Sequence, residues 1–207
     1  MLPPAPPVFC ANHEALSLLA CTHLALDAPI LDLGAGASTF LDVLLAQGYT
    51  NLIAADLSAA ALQAHRQQLA AEQVARVLWL VDDVTHPQEL RLLDPILLWH
   101  DRAMLPLLGL PAQRQAYRAM LDHMVEPGHG WVLLSVELPG PGPHPGDLPR
   151  QPYSLDELVA FLGADYALEQ YRQYEQELPS GARVRSLYAL FRRRQQTTTP
   201  FRPAAPA

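Results

Sequence analysis

The sequence predicts an α/β fold, a mostly parallel sheet with helices on both faces, and three observations carry that reading. Short apolar runs alternate with helix-period segments through most of the chain, the pattern of strands joined by crossover helices. The run Ile30-Leu31-Asp32-Leu33 breaks at Gly34 and Gly36 and passes into helical sequence from Ser38. That is a strand, a glycine turn and a helix start. Toward the end of the chain two strand-like runs are joined by a turn, so one strand enters antiparallel to the rest.

Taken in order, an opening helix is expected over Asn12–Leu26, with Asn12 as its cap. Strand 1, Ile30–Leu33, leads into a helix from Ser38 to Gln47 that stops at Gly48. Strand 2 is Asn51–Ala55. Ser58 caps a helix running to about Ala71, and strand 3 is Arg76–Val81. Strand 4, Pro95–Trp99, is short. Pro111 opens a helix to Met124 that ends near Pro127-Gly128. Strand 5, Trp131–Val136, precedes a Pro/Gly-rich loop from Pro139 to Pro152. Ser154-x-x-Glu157 is a capping box for a helix through Leu162. Tyr166–Gln176 and Arg183–Arg193 form the hairpin, across Leu178-Pro179-Ser180-Gly181. Residues 1–8 and 195–207 are rich in Pro, Thr and Ala and read as flexible tails, which leaves one domain over 9–194.

Composition narrows the function. The length of 207 residues suits one compact domain. No apolar stretch approaches the ~18 residues of a membrane span, and MLPPAPPVF lacks the basic start and apolar core of a signal peptide. Cys10 and Cys21 stand in no metal or redox spacing. A cytoplasmic protein without a membrane partner is expected. The net charge is −7 and every basic residue is arginine. An acidic domain without a basic stripe makes nucleic acid an unexpected partner, since phosphate neutralisation supplies most of that affinity. The run Arg192-Arg193-Arg194 reads as a solvated strand end. The histidines share no ligand spacing, so no metal is expected. Ser135 and His144 lack the G-x-S-x-G frame of a nucleophile elbow.

Ligands of open parallel sheets lie at the carboxyl ends of the strands, so site residues should fall there. Dinucleotide folds want a third glycine three residues after the second, and here that position is Thr39. The spacing Asp32-x-Gly34-x-Gly36-x-Ser38 instead resembles motif I of class I S-adenosylmethionine (SAM) methyltransferases. The resemblance implies that Asp32, Gly34, Ala35 and Gly36 meet the methionine part of SAM, with N–H groups near Ser38 facing its carboxylate. Asp56, followed by Leu57, would accept the ribose hydroxyls. Asp83, favoured over Asp82, would take the adenine amino group, and the Val84 N–H a ring nitrogen.

Trp99-His100-Asp101-Arg102-Ala103 then joins motif I, Asp56-Leu57-Ser58 and Asp83-Val84-Thr85. Together they resemble a group of SAM-dependent methyltransferases with a Trp-His-Asp-Arg-Ala signature. The Asp-Arg pair, His144-Pro145-Gly146 and Pro152-Tyr153 also look like thiopurine S-methyltransferases. The resemblance covers roughly residues 28–194 and implies a Rossmann-like, seven-stranded methyltransferase sheet. It implies methyl transfer from SAM, leaving S-adenosylhomocysteine (SAH), to a small-molecule acceptor, with a thiol or other soft nucleophile as the candidate class. Trp99 would lie against the cofactor. His100 would serve as base, Asp101 would accept a proton or hold the acceptor, and Arg102 would orient an anionic group or stabilise a thiolate. A protein (lysine) methyltransferase and a non-catalytic SAM-binding partner protein are the alternatives. The segment before motif I, in which Phe9 is the best aromatic match, is shorter than the resemblance implies. A homodimer or a partner completing the lid is therefore an expectation.

Overall fold

The computed structural model describes residues 9–140, 150–177 and 183–195. Residues 1–8 and 196–207 of the expected tails, the Leu178–Gly181 turn and the middle of the Pro139–Pro152 loop, His144 included, lie outside the described residues. Seven strands form one sheet: β1 (Ile30–Leu33), β2 (Leu52–Asp56), β3 (Val77–Val81), β4 (Leu98–Arg102), β5 (Trp131–Glu137), β6 (Tyr166–Glu177) and β7 (Arg183–Arg193). Their order is β3-β2-β1-β4-β5-β7-β6. The first five run parallel, and β7 pairs antiparallel with both β5 and β6. The order reverses between β1 and β4, and the crevice at that switch point is where such sheets bind ligands.

Among the described residues six α-helices accompany the sheet: α1 (Phe9–Ala20), α2 (Phe40–Ala46), α3 (Ala59–Arg66), α4 (Ala71–Val74), α5 (Pro111–Met124) and α6 (Leu155–Leu162). Strand side chains alternate between two cores. Leu31, Leu33, Trp99 and Leu134 pack with Tyr117 and Met120 of α5 and Leu158 of α6. Ile30, Leu98, Leu133 and Tyr188 pack with Leu18 of α1, Phe40 and Leu44 of α2 and Leu62 of α3. Both faces are covered, which is why the parallel strands read as continuous apolar runs. No helix among the described residues is long and apolar enough to cross a membrane.

Three elements depart from the sequence expectation. The opening helix ends at Ala20 rather than Leu26, because His23 adopts φ 52° and the Thr22 hydroxyl donates to the Leu19 carbonyl at 2.7 Å. The helix expected from Ser58 to Ala71 divides into α3 and α4, with Ala70 extended at ψ 152° between them. Strand 4 lies three residues further on than expected. Ile96 makes only an isolated bridge to Val125, whereas His100 and Asp101 stand in register with Asp32 and Leu33. Polar sequence had marked the end of that strand, but these polar side chains are buried within the ladder.

Candidate functional site

The glycine turn is shaped by its protein neighbours. Gly34 ends β1 at φ 76°, a conformation that L side chains adopt at a cost, and donates its N–H to the Ala55 carbonyl at 2.8 Å. A Cβ at Gly34 would lie 2.8 Å from Met104 Cγ. At Gly36 a Cβ would lie 2.3 Å from the Ala61 Cβ and 3.0 Å from Asp56 Oδ2. The glycines had been expected to clear space for a cofactor; the clearance that the structure records is for Met104 and for α3. Asp56 closes the arrangement from the end of β2. Its two carboxylate oxygens accept the N–H groups of Gly36, at 2.9 Å, and Ser58, at 2.8 Å. A carboxylate has about four acceptor positions, so Asp56 keeps capacity on its cleft side.

A cleft of about 210 Å³ opens at the ends of β1, β2 and β3. Gly34, Asp56, Asp83 and Val84 line it, with Leu57 and Leu108 as apolar walls. Leu57 is 67 % exposed at the rim of this cleft. The two neighbouring acids differ in what they do. The Asp82 carboxylate accepts the backbone N–H groups of Asp83, Gln88, Glu89 and Leu90. Burial pushes its pKa up, but those amides outweigh burial and hold it below the ordinary value. Asp83 holds a local turn through the Thr85 N–H and hydroxyl on Oδ1, while Oδ2 faces His86 at 3.5 Å. Burial raises its pKa too, and the Thr85 bonds bring it below the ordinary value.

A second, smaller pocket of about 110 Å³ adjoins Gly34 and is lined by Asp32, Ser38 and Arg102. Two buried atoms there have no hydrogen-bond partner among the described residues, Asp32 Oδ2 and Arg102 Nη1. Ser38 accepts the Phe40 N–H at 3.2 Å, and the Ala35 carbonyl accepts from His65.

Strand alternation sorts the Trp99–Arg102 signature into two sets. Trp99 and Asp101 face α5, away from the small pocket. Trp99 is fully buried, meets Tyr117 edge-on with ring centroids 5.4 Å apart, and donates its indole N–H to the Tyr117 hydroxyl at 3.0 Å. It lines neither pocket, because the alternation of the strand turns its side chain toward α5. Asp101 is bonded on both oxygens: it accepts the N–H groups of Met104, at 2.7 Å, and Leu105, at 3.0 Å, and the Tyr117 hydroxyl, at 2.7 Å. Burial pushes its pKa up to about 6 against the pull of those donors. Its bonds shape the turn in which Ala103 takes φ 67°.

His100 and Arg102 face the other way. His100 is enclosed, 3.9 Å from the Phe40 ring centroid and stacked beyond on Tyr188, and its Nδ1 pairs with Asp32 Oδ1 at 2.6 Å. It therefore stands behind Asp32 and lines neither pocket. Arg102 alone of the signature reaches a pocket wall. Met104 and Tyr117 were missed by sequence reasoning. Met104 follows the signature directly, and Tyr117 lies on the buried stripe of α5, so helical periodicity alone could have flagged it.

No protein-family model matches the chain, and no curated protein matches it in sequence. Solved structures do match in fold. One, described for the conversion of a disulfide bond into a thioacetal group during echinomycin biosynthesis, superposes with a TM-score of 0.69 at 17 % identity, over 94 % of this chain and 88 % of its own. The N-methyltransferase NodS from Bradyrhizobium japonicum WM9, in complex with SAH, gives 0.67 at 15 % identity, over 88 % and 85 %. The glycopeptide N-methyltransferase MtfA, complexed with sinefungin, gives 0.64 at 18 % identity, over 91 % and 97 %. The chain thus has the seven-stranded, Rossmann-like fold that these methyltransferases share.

Proposed function

We propose that the chain is a class I SAM-dependent methyltransferase acting on a small molecule, with a thiol or related soft nucleophile as acceptor. One observation carries the cofactor assignment: Gly34, Asp56 and Asp83, at the ends of three successive strands, line one cleft beside the switch point. The donor set fits the group. Asp56 retains acceptor capacity for a vicinal diol. Leu57 and Val84 offer apolar faces to a flat ring, and Asp83 an acceptor for an exocyclic amine. In the smaller pocket the orphaned Asp32 Oδ2 matches the ammonium of an amino-acid end, with Ser38 beside it.

When bound, SAM supplies an electrophilic methyl group on a sulfonium, open to in-line displacement. The chain's own contribution is orientation, which can supply about 7–11 kcal/mol in favourable models. His100 fixes Asp32 through the 2.6 Å contact, and Asp101 fixes the Ala103–Leu105 turn that carries Met104 over Gly34. We assign these two positioning roles in place of proton transfer: neither lines a pocket, Asp101 accepts from three protein donors, and the His100 nitrogen left without a partner, Nε2, is buried away from both pockets. With Asp32 given to that ammonium, no second carboxylate or imidazole among the described residues lines the small pocket to act as a base. An acceptor that ionises unaided near neutral pH, as a thiol does, suits such a site, and the Arg102 cation would stabilise its thiolate. The Asp101-Arg102 likeness to thiopurine S-methyltransferases supports the same class.

Calorimetric titration with SAM, SAH and NAD tests the assignment, with Asp56→Ala as control. Micromolar SAM or SAH binding, lost in Asp56→Ala and absent for NAD, is expected, and a thiol screen with methyl-labelled SAM follows. NAD binding with no response to SAM or SAH overturns the proposal.

A further inference from the structure

We propose that His65 is a positioning residue for the cofactor cleft: held as an imidazolium, it grips the Ala35–Gly36 peptide, and cofactor affinity falls when it loses its proton. The inference rests on the methyltransferase reading of the cleft for its binding assay, and on the peptide geometry alone for its mechanism.

His65 stands on the buried face of α3, 4 % exposed. Its Nδ1 lies 2.7 Å from the Ala35 carbonyl oxygen and its Nε2 2.8 Å from Asp42 Oδ1. A carbonyl and a carboxylate only accept, so both ring nitrogens must donate, and only the imidazolium does that. The same peptide unit that gives its carbonyl to His65 gives its N–H, from Gly36, to Asp56 Oδ2 at 2.9 Å. The peptide is planar, so its two ends turn together. A continuous relay results: Asp42, His65, the Ala35–Gly36 peptide, and Asp56 at the cleft wall. The Ala35 carbonyl also accepts the Ser38 N–H at 3.1 Å, so loss of the His65 contact leaves that end of the plane held by one bond instead of two and loosens the carboxylate that faces the diol site.

The charged groups around the ring favour the proton. Asp42 of α2 bonds it directly, and Asp32 of β1 adds its charge from beneath. Trp79 of β3 meets the ring edge-on at 5.4 Å. Arg66 is the cation nearby, and it lies over the Trp79 ring, 5.7 Å from the centroid. The Asp42 bond raises the His65 pKa, burial lowers it, and the Ala35 carbonyl with the two acid charges raises it further, for a net value above 6.5. A histidine raised in this way contributes fully below its ordinary pKa, and the contribution fades as pH climbs through the raised value. Cofactor binding that tightens the turn draws His65 further toward the charged form, so affinity declines over the same range.

Titration of SAH between pH 6 and 9.5, beside NMR titration of the His65 ring, tests this in the full chain. His65 is expected to titrate above its ordinary value, with SAH affinity falling about three- to tenfold across the same midpoint. Asp42→Asn should move both midpoints to lower pH together, and His65→Gln should bind more weakly with that inflection lost. A merely structural His65 would leave the affinity midpoint where it was in Asp42→Asn. That result, or wild-type affinity and pH profile in His65→Gln, overturns the proposal. If SAH binds at no pH the methyltransferase reading fails, and the relay is judged by hydrogen exchange of the Gly36 amide. Exchange that accelerates through the His65 midpoint supports it, and exchange indifferent to that midpoint overturns it.

Discussion

Gly36→Ala tests most directly whether the glycine turn is built around α3. The added methyl would sit 2.3 Å from the Ala61 Cβ, far inside the roughly 3.5–4.0 Å of carbon–carbon contact. The obstacle is rigid, since the Ala61 Cβ is fixed to the helix and its backbone carbon stands 3.2 Å away. Overpacking of this kind costs about 1–3 kcal/mol. Each kcal/mol is about 2–4 °C of Tm in a domain of this size, so a fall of about 2–12 °C is expected. The methyl also crowds Asp56 Oδ2, so SAH affinity should drop with stability. The decisive assay is a double-mutant cycle. Ala61→Gly alone weakens α3 by about 1 kcal/mol through helix propensity. Combined with Gly36→Ala it removes the colliding atom, and the pair should be more stable than the sum of the singles by about 1–2 kcal/mol. Strict additivity by thermal or urea unfolding, or a Gly36→Ala protein with unchanged Tm, would refute the reasoning.

Two further outcomes separate structural from catalytic roles on β4. Asp101→Asn keeps one oxygen and turns the other acceptor into a donor, so either the Met104 amide, or the Leu105 amide with the Tyr117 hydroxyl, loses its partner, which should destabilise by about 1–3 kcal/mol, read as a lower urea midpoint. Its pH signature has a fixed sign. A carboxyl raised to about 6 in the fold contributes stability below its ordinary pKa, and loses it as pH rises through about 6. The wild-type advantage over Asp101→Asn should therefore shrink across that interval, and an advantage that grows there contradicts the burial argument. Arg102→Met should leave stability within about 0.5 kcal/mol, since the buried Nη1 of the guanidinium has no hydrogen-bond partner among the described residues and its removal relieves an unsatisfied polar atom. Methyl transfer, measured with labelled SAM, should fall nonetheless. Unchanged turnover would take Arg102 out of the site.

Much of the architecture was legible because burial on both faces leaves a simple signature. Ile30–Leu33 and Trp131–Glu137 are apolar runs bounded by glycine, and their assignment needed no tertiary information. The same holds for the Ser154 capping box, whose Glu157 carboxylate returns to the Ser154 N–H at 2.7 Å. The split after Arg66 was not legible, because Gln67–Ala70 contains neither glycine nor proline to mark it. The end of α1 was hidden for a similar reason, since it depends on His23 adopting a positive φ without a glycine to announce it.

The site divided along a different line. Positions fixed by strand ends, such as Asp56 and Asp83, could be located from spacing alone, and both line the main cleft. The Trp99–Arg102 signature could not, because its meaning depends on register. Read as a strand ending at Trp99, it puts three polar residues in a loop, all free to face a substrate. Read as the ladder it is, with His100 beside Asp32 and Asp101 beside Leu33, consecutive side chains must point to opposite faces. One face then carries Trp99 and Asp101 into the Tyr117 network, and the other buries His100 against Phe40. Only the last residue of the strand emerges, and it is an arginine. A site whose β4 contributes a cation and no exposed base works by holding and orienting an already nucleophilic acceptor, which is why the acceptor's own acidity becomes the property to vary first.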